Sequence, residues 1–304
     1  MQNYPWGLSD LHKIVALDDT IVPTKVKYTP ASGLPDLEAD LVGQLSADSI
    51  PDISSVQSVE IGNRVYGIRD FAFDGCSSLT AITIPDSVMS IGSGAFNNCG
   101  GLTGIAMPDS VTSIGNEAFY NCIALESVTL PDSIDSIGRA TFSNCSLTSV
   151  TIPDSVTDIG NGAFYNCRGL TNVAIGDRVE TIGEEAFQDC IGLGNVTIPD
   201  SVTSIGSNAF YGCRGLANVT IGDNVTSIGP YTFYNCSGLT SVTFNSFTKD
   251  EVKSLTTSTH IFGGVFYDDE YNPIEKSFTT ICTDGSMTVH FSADSPATIT
   301  FTDL

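Results

Sequence analysis

A repeat of 23 residues runs through most of the chain and limits what the chain can fold into. Phenylalanine recurs at this spacing, and a cysteine follows each phenylalanine three residues later. The phenylalanines of the series are Phe73, Phe96, Phe119, Phe142, Phe164, Phe187, Phe210 and Phe233. One step, from Phe142 to Phe164, is 22 residues long. A fixed period of this length is typical of proteins built from stacked structural repeats.

The apolar residues inside one repeat follow neither a helical nor a strand period. In the repeat that begins at Leu79 they are Leu79, Ile82, Ile84, Val88, Ile91, Ala95, Phe96 and Cys99. Such spacing indicates a coil that turns corners: a short strand over Leu-x-x-Ile-x-Ile, then a Pro-Asp or Gly-Asp corner. The Ile-Gly pair predicts a second bend, where glycine would take a positive φ. Because so short a coil cannot enclose a core, we predict coils stacked in register, about 4.8 Å apart.

The repeat resembles the BspA-like class of leucine-rich repeats. Its pattern is Cys-x-x-Leu-x-x-Ile/Val-x-Ile-Pro-x-x-Val-x-x-Ile-Gly-x-x-Ala-Phe, with eight copies over about residues 56–244. The departures are glycine for proline at Gly62, Gly176 and Gly222 and threonine for alanine at Thr141 and Thr232. The resemblance implies a mostly β repeat solenoid, a right-handed curved superhelix with a parallel concave sheet. It also implies a surface or secreted protein of bacteria or protists that adheres to host proteins or other cells.

The repeat divides the chain into three predicted regions. They are an N-terminal flank over 1–55, the repeats over 56–244 and a C-terminal flank over 245–304. We expect the flanks to be small β-rich caps, because terminal coils expose apolar surface unless they are covered. In the first flank, residues 13–28 predict two strands. There, Leu34, Leu37, Leu41 and Leu45 lie at helical spacing and predict a short helix.

The C-terminal flank carries clearer local signals. Thr248 and Glu251 form a capping-box pattern, which predicts the start of a helix. Asp284-Gly285 lies between alternating residues of 281–291 and predicts a β-hairpin. Residues 297–301 predict a final strand. We therefore expect one short helix and a hairpin after the last repeat.

Charge and hydropathy exclude several classes of partner. Thirty-five acidic residues against 12 basic residues give a net charge of -23, which repels phosphate backbones and anionic lipid. No apolar run approaches the roughly 18 residues needed to span a bilayer. Residues 1–10 have neither the basic nor the apolar region of a signal peptide. We predict no nucleic-acid partner and no membrane insertion for this acidic protein, and the sequence leaves its oligomeric state open.

Cysteine and histidine follow no pattern typical of catalysis. Eight of the nine cysteines share one repeat position, which predicts a buried ladder of reduced thiols acting as small hydrophobic groups. Sulfur atoms about 4.8 Å apart along the stack are poorly placed for disulfides. His12, His260 and His290 lie in the flanks without a recognisable nucleophile. We predict a protein without enzymatic activity or cofactor; a catalytic site, if present, would lie around His260 or His290.

Aspartate recurs at the corner after the first strand of the repeat. The column contains Asp86, Asp109, Asp132, Asp154, Asp177, Asp200 and Asp223. Neighbouring carboxylates repel by roughly 0.9 kcal/mol in water, and a side-chain bond to the backbone two residues on returns about 0.5–1.5 kcal/mol. Formation of the turn is therefore sufficient to explain the column. A row of weak calcium sites is the alternative, and it is the metal site that the sequence suggests.

Two surfaces are candidates for binding. The first strands present small uncharged residues, including Ser127, Ser149, Asn172, Asn195 and Asn218, which suit a flat hydrogen-bonding partner. A second column consists of tyrosines after the ladder phenylalanine and arginines after the ladder cysteine. Its members are Tyr120, Tyr165, Tyr211, Tyr234, Arg168 and Arg214. Tyrosine and arginine are enriched at protein interfaces. Solvated, inert surfaces would account for either column equally well.

These observations favour a binding or adhesion module that recognises a protein or glycan through a rigid solenoid surface. Surface display, outside the cell or on a virion, is the expected location. The alternative is a structural spacer or tail-associated component of a phage particle, in which the flanks bind and the repeats set a length. Deletion of central repeats separates the two hypotheses, because it would abolish binding in the first and only shorten the particle in the second.

Overall fold

The computed structural model describes residues 25–30, 37–40, 43–45, 56–258, 260–262, 266–267, 273–274, 276–291 and 299–304. His12 and the predicted strand residues 13–24 lie outside this set. The chain divides into two compact units, unit 1 (Met1–Ile134) and unit 2 (Asp135–Leu304). Both units consist mainly of short strands arranged as the coils of a β-solenoid.

In unit 1, the flank contributes three of the described strands and the repeats contribute the others. The flank strands are β1 (Lys25–Pro30), β2 (Leu37–Asp40) and β3 (Gly43–Leu45). The repeat strands are β4 (Val56–Glu60), β5 (Val65–Ile68), β6 (Ala81–Thr83), β7 (Ser90–Ile91), β8 (Gly104–Ala106), β9 (Ser113–Ile114) and β10 (Ser127–Thr129).

Unit 2 contains the remaining repeats and the C-terminal flank. The repeat strands are β11 (Ser136–Ile137), β12 (Ser149–Thr151), β13 (Asp158–Ile159), β14 (Asn172–Ala174), β15 (Thr181–Ile182), β16 (Asn195–Ile198), β17 (Ser204–Ile205), β18 (Asn218–Ile221), β19 (Ser227–Ile228) and β20 (Ser241–Phe244). The flank elements are α1 (Lys249–Ser258), β21 (Phe266–Tyr267), β22 (Pro273–Ile274), β23 (Lys276–Cys282), β24 (Gly285–Phe291) and β25 (Ile299–Asp303).

Each repeat forms one coil with a first strand, a second strand and a third side that carries the ladder phenylalanine. Equivalent strands of successive coils pair in parallel. In unit 1, β4 pairs with β6 and β5 with β7, each residue opposite the residue 23 positions further on. In unit 2, β16 pairs with β18 and β15 with β17 at the same offset. The prediction of coils stacked in register is therefore confirmed within each unit. Right-handed winding and curvature stay predictions of the family resemblance.

The phenylalanine ladder forms the centre of the core. All eight ladder phenylalanines are fully buried. In unit 1, the rings of Phe73 and Phe96 stack with centroids 5.1 Å apart and planes 4° from parallel. In unit 2, Phe142 and Phe164 stack at 5.5 Å and 11° across the shortened repeat. Ring stacking therefore fixes the spacing of the third side, and it survives the loss of one residue.

The third side also holds two residues with a positive φ, one on each side of the ladder phenylalanine. In unit 1, Glu117 and Asn121 flank Phe119 with φ values of 59° and 58°. The later position is Asn, Asp or Gly throughout, residue types that tolerate this conformation. The earlier position also accepts Ala140 and Tyr231, at a cost of roughly 1–2 kcal/mol each. Hydrogen bonds between successive coils hold these strained residues in place.

The glycine of the Ile-Gly pair has a different role from the one predicted. The Ile-Gly glycines do not have a positive φ in the structure, so the prediction of a left-handed bend at these positions is wrong. A β-carbon on Gly115 would lie 2.4 Å from the backbone nitrogen of Ser93, and one on Gly229 would lie 2.4 Å from that of Ser207. Glycine is needed because the backbone of the preceding coil passes too close for any side chain.

The departures from the repeat pattern have local explanations. A β-carbon on Gly176 would lie 2.6 Å from the carbonyl oxygen of Pro153, so proline is excluded at this corner. The buried hydroxyl of Thr141 donates a hydrogen bond to the carbonyl oxygen of Gly138 at 2.8 Å, and Thr232 donates to Gly229 at 2.6 Å. Threonine therefore replaces alanine without leaving a buried polar group unpaired.

The described part of the N-terminal flank forms strands, so the predicted helix is wrong at Leu37 and Leu45, while Leu34 and Leu41 lie outside the described residues. Leu37 lies in β2, which pairs antiparallel with β1, and β1 pairs antiparallel with β4. Leu45 lies in β3, which pairs in parallel with β5 and places Leu45 opposite Ile68. This offset is again 23 residues, so β3 occupies the second-strand position of an additional coil. Pairing between strands overrides the weak helical spacing of the leucines.

The C-terminal flank confirms the local predictions. Helix α1 begins at Lys249, and the Thr248 amide donates to Glu251 Oε2 at 2.8 Å while the Glu251 amide reaches Thr248 Oγ1 at 3.4 Å. Strands β23 and β24 form the hairpin around Asp284-Gly285, and β25 pairs antiparallel with β24. Strand β23 also pairs in parallel with β20, so the flank continues the first-strand sheet and ends it with antiparallel strands.

Truncation of a ladder phenylalanine should destabilise unit 2 strongly. Phe164→Ala removes a fully buried ring that stacks on Phe142 and on Phe187 at 5.3 Å. We expect the free energy of unfolding to fall by about 3–5 kcal/mol, measured by chemical denaturation. Phe164→Leu leaves a smaller cavity and should cost clearly less. Equal, small losses in the two variants would contradict a core centred on this ladder.

The capping box should make stability depend on pH. Hydrogen bonds from the Thr248 amide and hydroxyl lower the pKa of Glu251. Because the folded state has the lower pKa, the stabilisation is present above the pKa of the unfolded chain and is lost as the pH falls. The difference in Tm between the wild type and Glu251→Gln should be present at neutral pH and disappear in acid. Glu180→Gln, in an exposed position of the repeats, serves as the control.

Candidate functional site

The predicted binding residues fall on two surfaces of the coils. We call the first the corner ridge; it consists of the side chains that follow the ladder phenylalanine and the ladder cysteine. Its members are Tyr120 in unit 1 and Tyr165, Tyr211, Tyr234, Arg168 and Arg214 in unit 2. We call the second the first-strand face. Its members are Ser127 in unit 1 and Ser149, Asn172, Asn195 and Asn218 in unit 2.

Ring stacking in the core positions the corner ridge. Because Tyr211 and Tyr234 follow stacked ladder phenylalanines, their own rings stack, with centroids 5.2 Å apart and planes 4° from parallel. Tyr120 is 36% exposed, and the ridge tyrosines of unit 2 are half-buried. Arg168 is exposed and Arg214 is half-buried. In unit 2 the ridge therefore holds the rings of Tyr211 and Tyr234 in register with the core.

Sequence reasoning missed Tyr231 and His260 as neighbours of the ridge. Tyr231 is 43% exposed and meets Tyr234 edge-on at 5.8 Å, and His260 lies 6.0 Å from Tyr231. Both have the positive φ of the position two residues before a ladder phenylalanine. Accordingly, Phe262 stacks on Phe233 at 5.9 Å, and the amide of Phe233 donates to the carbonyl of Ile261. Residues 260–262 thus repeat the third side at an irregular interval, which hid them from the periodicity.

The first-strand face carries exposed, uncharged polar side chains. Along β16, Asn195 and Thr197 are exposed and alternate with buried residues. The side-chain amide of Asn218 donates to Asn195 Oδ1 at 2.8 Å, and Ser241 Oγ donates to Asn218 Oδ1 at 2.8 Å. Neighbouring side chains therefore satisfy part of one another's hydrogen-bonding capacity, which leaves fewer groups for a partner.

The aspartate column links successive coils. Asp154 Oδ1 accepts the backbone amide of Asp177 at 2.9 Å, and Asp200 Oδ1 accepts that of Asp223 at 2.9 Å. Asp109 Oδ1 accepts the amide of Asp132 at 3.4 Å. The expected bond to the backbone two residues on is thus replaced by one to the next coil. Within the described part of the chain, no cluster of three or more His, Cys, Asp or Glu could hold a metal ion, and calcium binding stays a hypothesis.

The cysteine ladder is buried and reduced, as predicted, but its thiols also form hydrogen bonds. Cys99 Sγ donates to the carbonyl of Phe73 at 3.2 Å, and Cys190 Sγ donates to that of Phe164 at 3.2 Å. All nine cysteines are buried thiols that form no disulfide in the structure. Burial raises the pKa of Cys167 to about 12 and raises the pKa of Cys190 well above its usual range. These thiols are therefore structural donors with little nucleophilic character.

The contacts of His290 and His260 in the structure are with Ser277 and Tyr231, respectively. Ser277 Oγ lies 2.7 Å from His290 Nδ1, on neighbouring strands of the C-terminal hairpin. The pair is on the surface of a sheet, since Ser277 is exposed and His290 half-exposed. His260 packs against Tyr231.

Among the described residues, no helix combines the length and the apolar character needed to cross a membrane.

The comparison with known families agrees with this geometry. A model of the BspA type leucine-rich repeat region matches six copies over residues 49–171 and 157–262, which is well over half of the chain. The chain belongs to the BspA-type leucine-rich repeat family. The second match extends to Phe262, where the structure places the additional third side.

Solved structures of bacterial leucine-rich repeat proteins share the fold. A leucine-rich repeat protein from Bacteroides ovatus ATCC 8483 is 29% identical, with a TM-score of 0.58, over 75% of this chain and 71% of that one. The T. pallidum leucine-rich repeat protein is 26% identical, with a TM-score of 0.50, over 72% of this chain and 94% of that one. A comparison with curated protein sequences gives no match.

The thiols of the folded protein should be unreactive. Because burial raises the pKa of Cys167 and Cys190, little of their thiolate exists at pH 8, and burial shields all nine cysteines from a reagent. We expect a disulfide-exchange reagent to label none of the nine buried cysteines in the native state and all nine in denaturant. Arg178→Cys places a thiol at an exposed position and should be labelled once per chain. Rapid labelling of native wild type would contradict the buried ladder.

Proposed function

We propose that this protein is a non-enzymatic binding module that adheres to a partner through the corner ridge. The observation that supports the proposal is the stack of Tyr211 on Tyr234, on a column that the core holds in register. Tyrosine and arginine dominate the binding energy of protein interfaces. A preorganised ridge also loses little conformational entropy on binding, which favours affinity.

The proposal includes display of the solenoid at a surface. Membership of the BspA-type family supports surface display, because the resemblance implies surface or secreted adhesion proteins. Each contact along the ridge contributes a small free energy, since the side chains are partly solvated. Many copies on one surface would raise the overall avidity well above the affinity of a single module.

The first-strand face is the second candidate surface. Its exposed amides and hydroxyls favour a flat hydrogen-bonding partner, such as a glycan or the backbone of another chain. Asn195, Asn218 and Ser241 bond to one another, which occupies part of their hydrogen-bonding capacity. The alternative function is that of a structural spacer, in which the flanks bind and the repeats set a length.

Replacing the ridge tyrosines should abolish binding if the ridge carries it. The variant changes Tyr120, Tyr165, Tyr211 and Tyr234 to Ser, and binding to immobilised matrix proteins and to a glycan array is measured by interferometry. We expect a loss of at least ten-fold, because four weak contacts of about 0.5 kcal/mol each sum to about 2 kcal/mol, and about 1.4 kcal/mol corresponds to a factor of ten. Circular dichroism and Tm establish that the variant is folded.

The matched control places charge on the first-strand face. Ser127→Lys and Asn172→Lys alter exposed positions, one in each unit, without touching the ridge. Binding that survives in the ridge variant and is lost in the control variant would assign the function to the first-strand face. Binding that survives in both would favour the spacer, with the flanks as the binding elements.

A further inference from the structure

Strand β25 forms an open edge of a six-stranded sheet in unit 2. The strands of this sheet follow the order β16-β18-β20-β23-β24-β25, and β25 pairs antiparallel with β24 on one side. No strand in the described part of the chain pairs with the other side of β25. An unpaired edge presents backbone amides and carbonyls that can take up a further strand.

The register of β25 determines which of its backbone groups are unpaired. Leu304 follows the strand in the same register, and its amide donates a hydrogen bond to the carbonyl of Ser286 at 3.0 Å. Residues of an antiparallel strand alternate between bonding to the neighbouring strand and pointing away from it. Three residues of β25 therefore direct their amides and carbonyls away from β24, namely Ile299, Phe301 and Asp303.

The side chain of Phe301 is incompletely covered at this edge. Phe301 lies opposite Val289, and Val289 lies opposite Phe278. Val289 and Phe278 are buried, whereas Phe301 is half-buried. On the same side of the sheet, the ring of Phe278 meets that of Phe262 with centroids 4.7 Å apart. The apolar layer of the sheet therefore ends in a partly exposed aromatic ring, which a further strand would cover.

The edge carries little charge, although the whole chain has a net charge of -23. Asp303 is the one ionisable residue of β25, and its carboxylate forms an ion pair with Lys249 Nζ at 3.3 Å. By contrast, the edge strand β2 of unit 1 contains both Glu38 and Asp40. Charged residues on an edge strand oppose pairing with another chain. Strand β25 therefore has little of this protection.

The sequence of β25 is nearly symmetric about Phe301, with Thr300 before it and Thr302 after it. Two copies of the strand, antiparallel about a two-fold axis at Phe301, would align Thr300 of each copy with Thr302 of the other. In this register the outward amides and carbonyls of one copy meet those of the other. We infer that a second copy of this chain pairs with β25, so that two six-stranded sheets join into one. Such a two-fold contact uses both edges at once and therefore closes at a dimer.

The symmetry favours a second copy over a strand of another protein. A foreign strand would satisfy the same backbone groups, but it would not require matching residues on both sides of Phe301. The net negative charges of two copies repel each other, and this repulsion is screened over about 8 Å at physiological ionic strength. We therefore expect a weak dimer that added salt strengthens.

The experiment measures dimerisation by sedimentation velocity over a range of protein concentrations. Asp303→Pro removes an outward amide and leaves the bonds to β24 intact, because an edge strand accepts proline where its nitrogen faces outward. Asp303→Ala is the matched control, since it loses the same ion pair with Lys249 and keeps the amide. Wild type and Asp303→Ala should dimerise as the concentration rises. Asp303→Pro should weaken dimerisation about ten-fold, because the two-fold axis removes two hydrogen bonds at once.

A cysteine at the two-fold axis tests the register independently. In the inferred dimer the two Cα atoms of Phe301 would lie about 5.5 Å apart, which is within the range of a disulfide. Phe301→Cys should therefore give a covalent dimer under mild oxidation, while the nine native cysteines are buried. Leu304→Cys is the control, because its two copies would lie about 20 Å apart, at six residues of about 3.4 Å each.

The variants separate the possible outcomes. Dimerisation that is kept in Asp303→Ala and lost in Asp303→Pro, with cross-linking through Phe301→Cys alone, would support the inference. A wild type that is monomeric at every concentration, or a dimer that persists in Asp303→Pro, would overturn it. Equal cross-linking of Phe301→Cys and Leu304→Cys would also overturn it, since random collisions produce both. Circular dichroism shows whether each variant is folded, and the cross-linking decides alone if Asp303→Pro is not.

Discussion

Stacking of coils in register is the constraint on which the rest of the structure depends. Each coil is too short to bury its own apolar residues. Its strands and its third side therefore form their hydrogen bonds with the backbone of the neighbouring coil. Two contacts of Phe96 follow from the same register. Its amide donates a hydrogen bond to the carbonyl of Ala118, and its ring stacks on that of Phe73. Once the register is set, every exposed residue belongs to a column, and a surface is defined by one position of the repeat.

This constraint explains which parts of the fold could be predicted from the sequence. Repeated positions and local signals were sufficient for the buried phenylalanines, the capping box at Thr248 and the hairpin at Asp284-Gly285. The flank strands β2 and β3 were missed, because their conformation depends on pairing with distant strands. The role of Gly115 was misjudged for a related reason: the atom that excludes a side chain there belongs to the preceding coil.

The candidate site, like the fold, could be predicted from the sequence only in part. The columns that contain Tyr211 and Asp154 follow directly from the period, so their members could be named from the sequence. The contacts of these columns could not be predicted from the sequence, because the partner of each group lies in the next coil. Asp154 binds the amide of Asp177, and Cys99 binds the carbonyl of Phe73. His260 lies beyond the regular pattern, and only the three-dimensional arrangement brings it to Tyr231, which in turn meets Tyr234 of the ridge.

The shortened repeat has a consequence for how such a protein can evolve. Phe142 and Phe164 remain stacked at 5.5 Å although one residue is missing between them, and Ser136 still pairs with Asp158 across 22 residues. Within each unit the coils stack through equivalent pairings, so unequal crossing-over within the gene can add or remove a whole coil while the same pairings form again. Copy number is thus a heritable variable through which the length of the solenoid can change between generations.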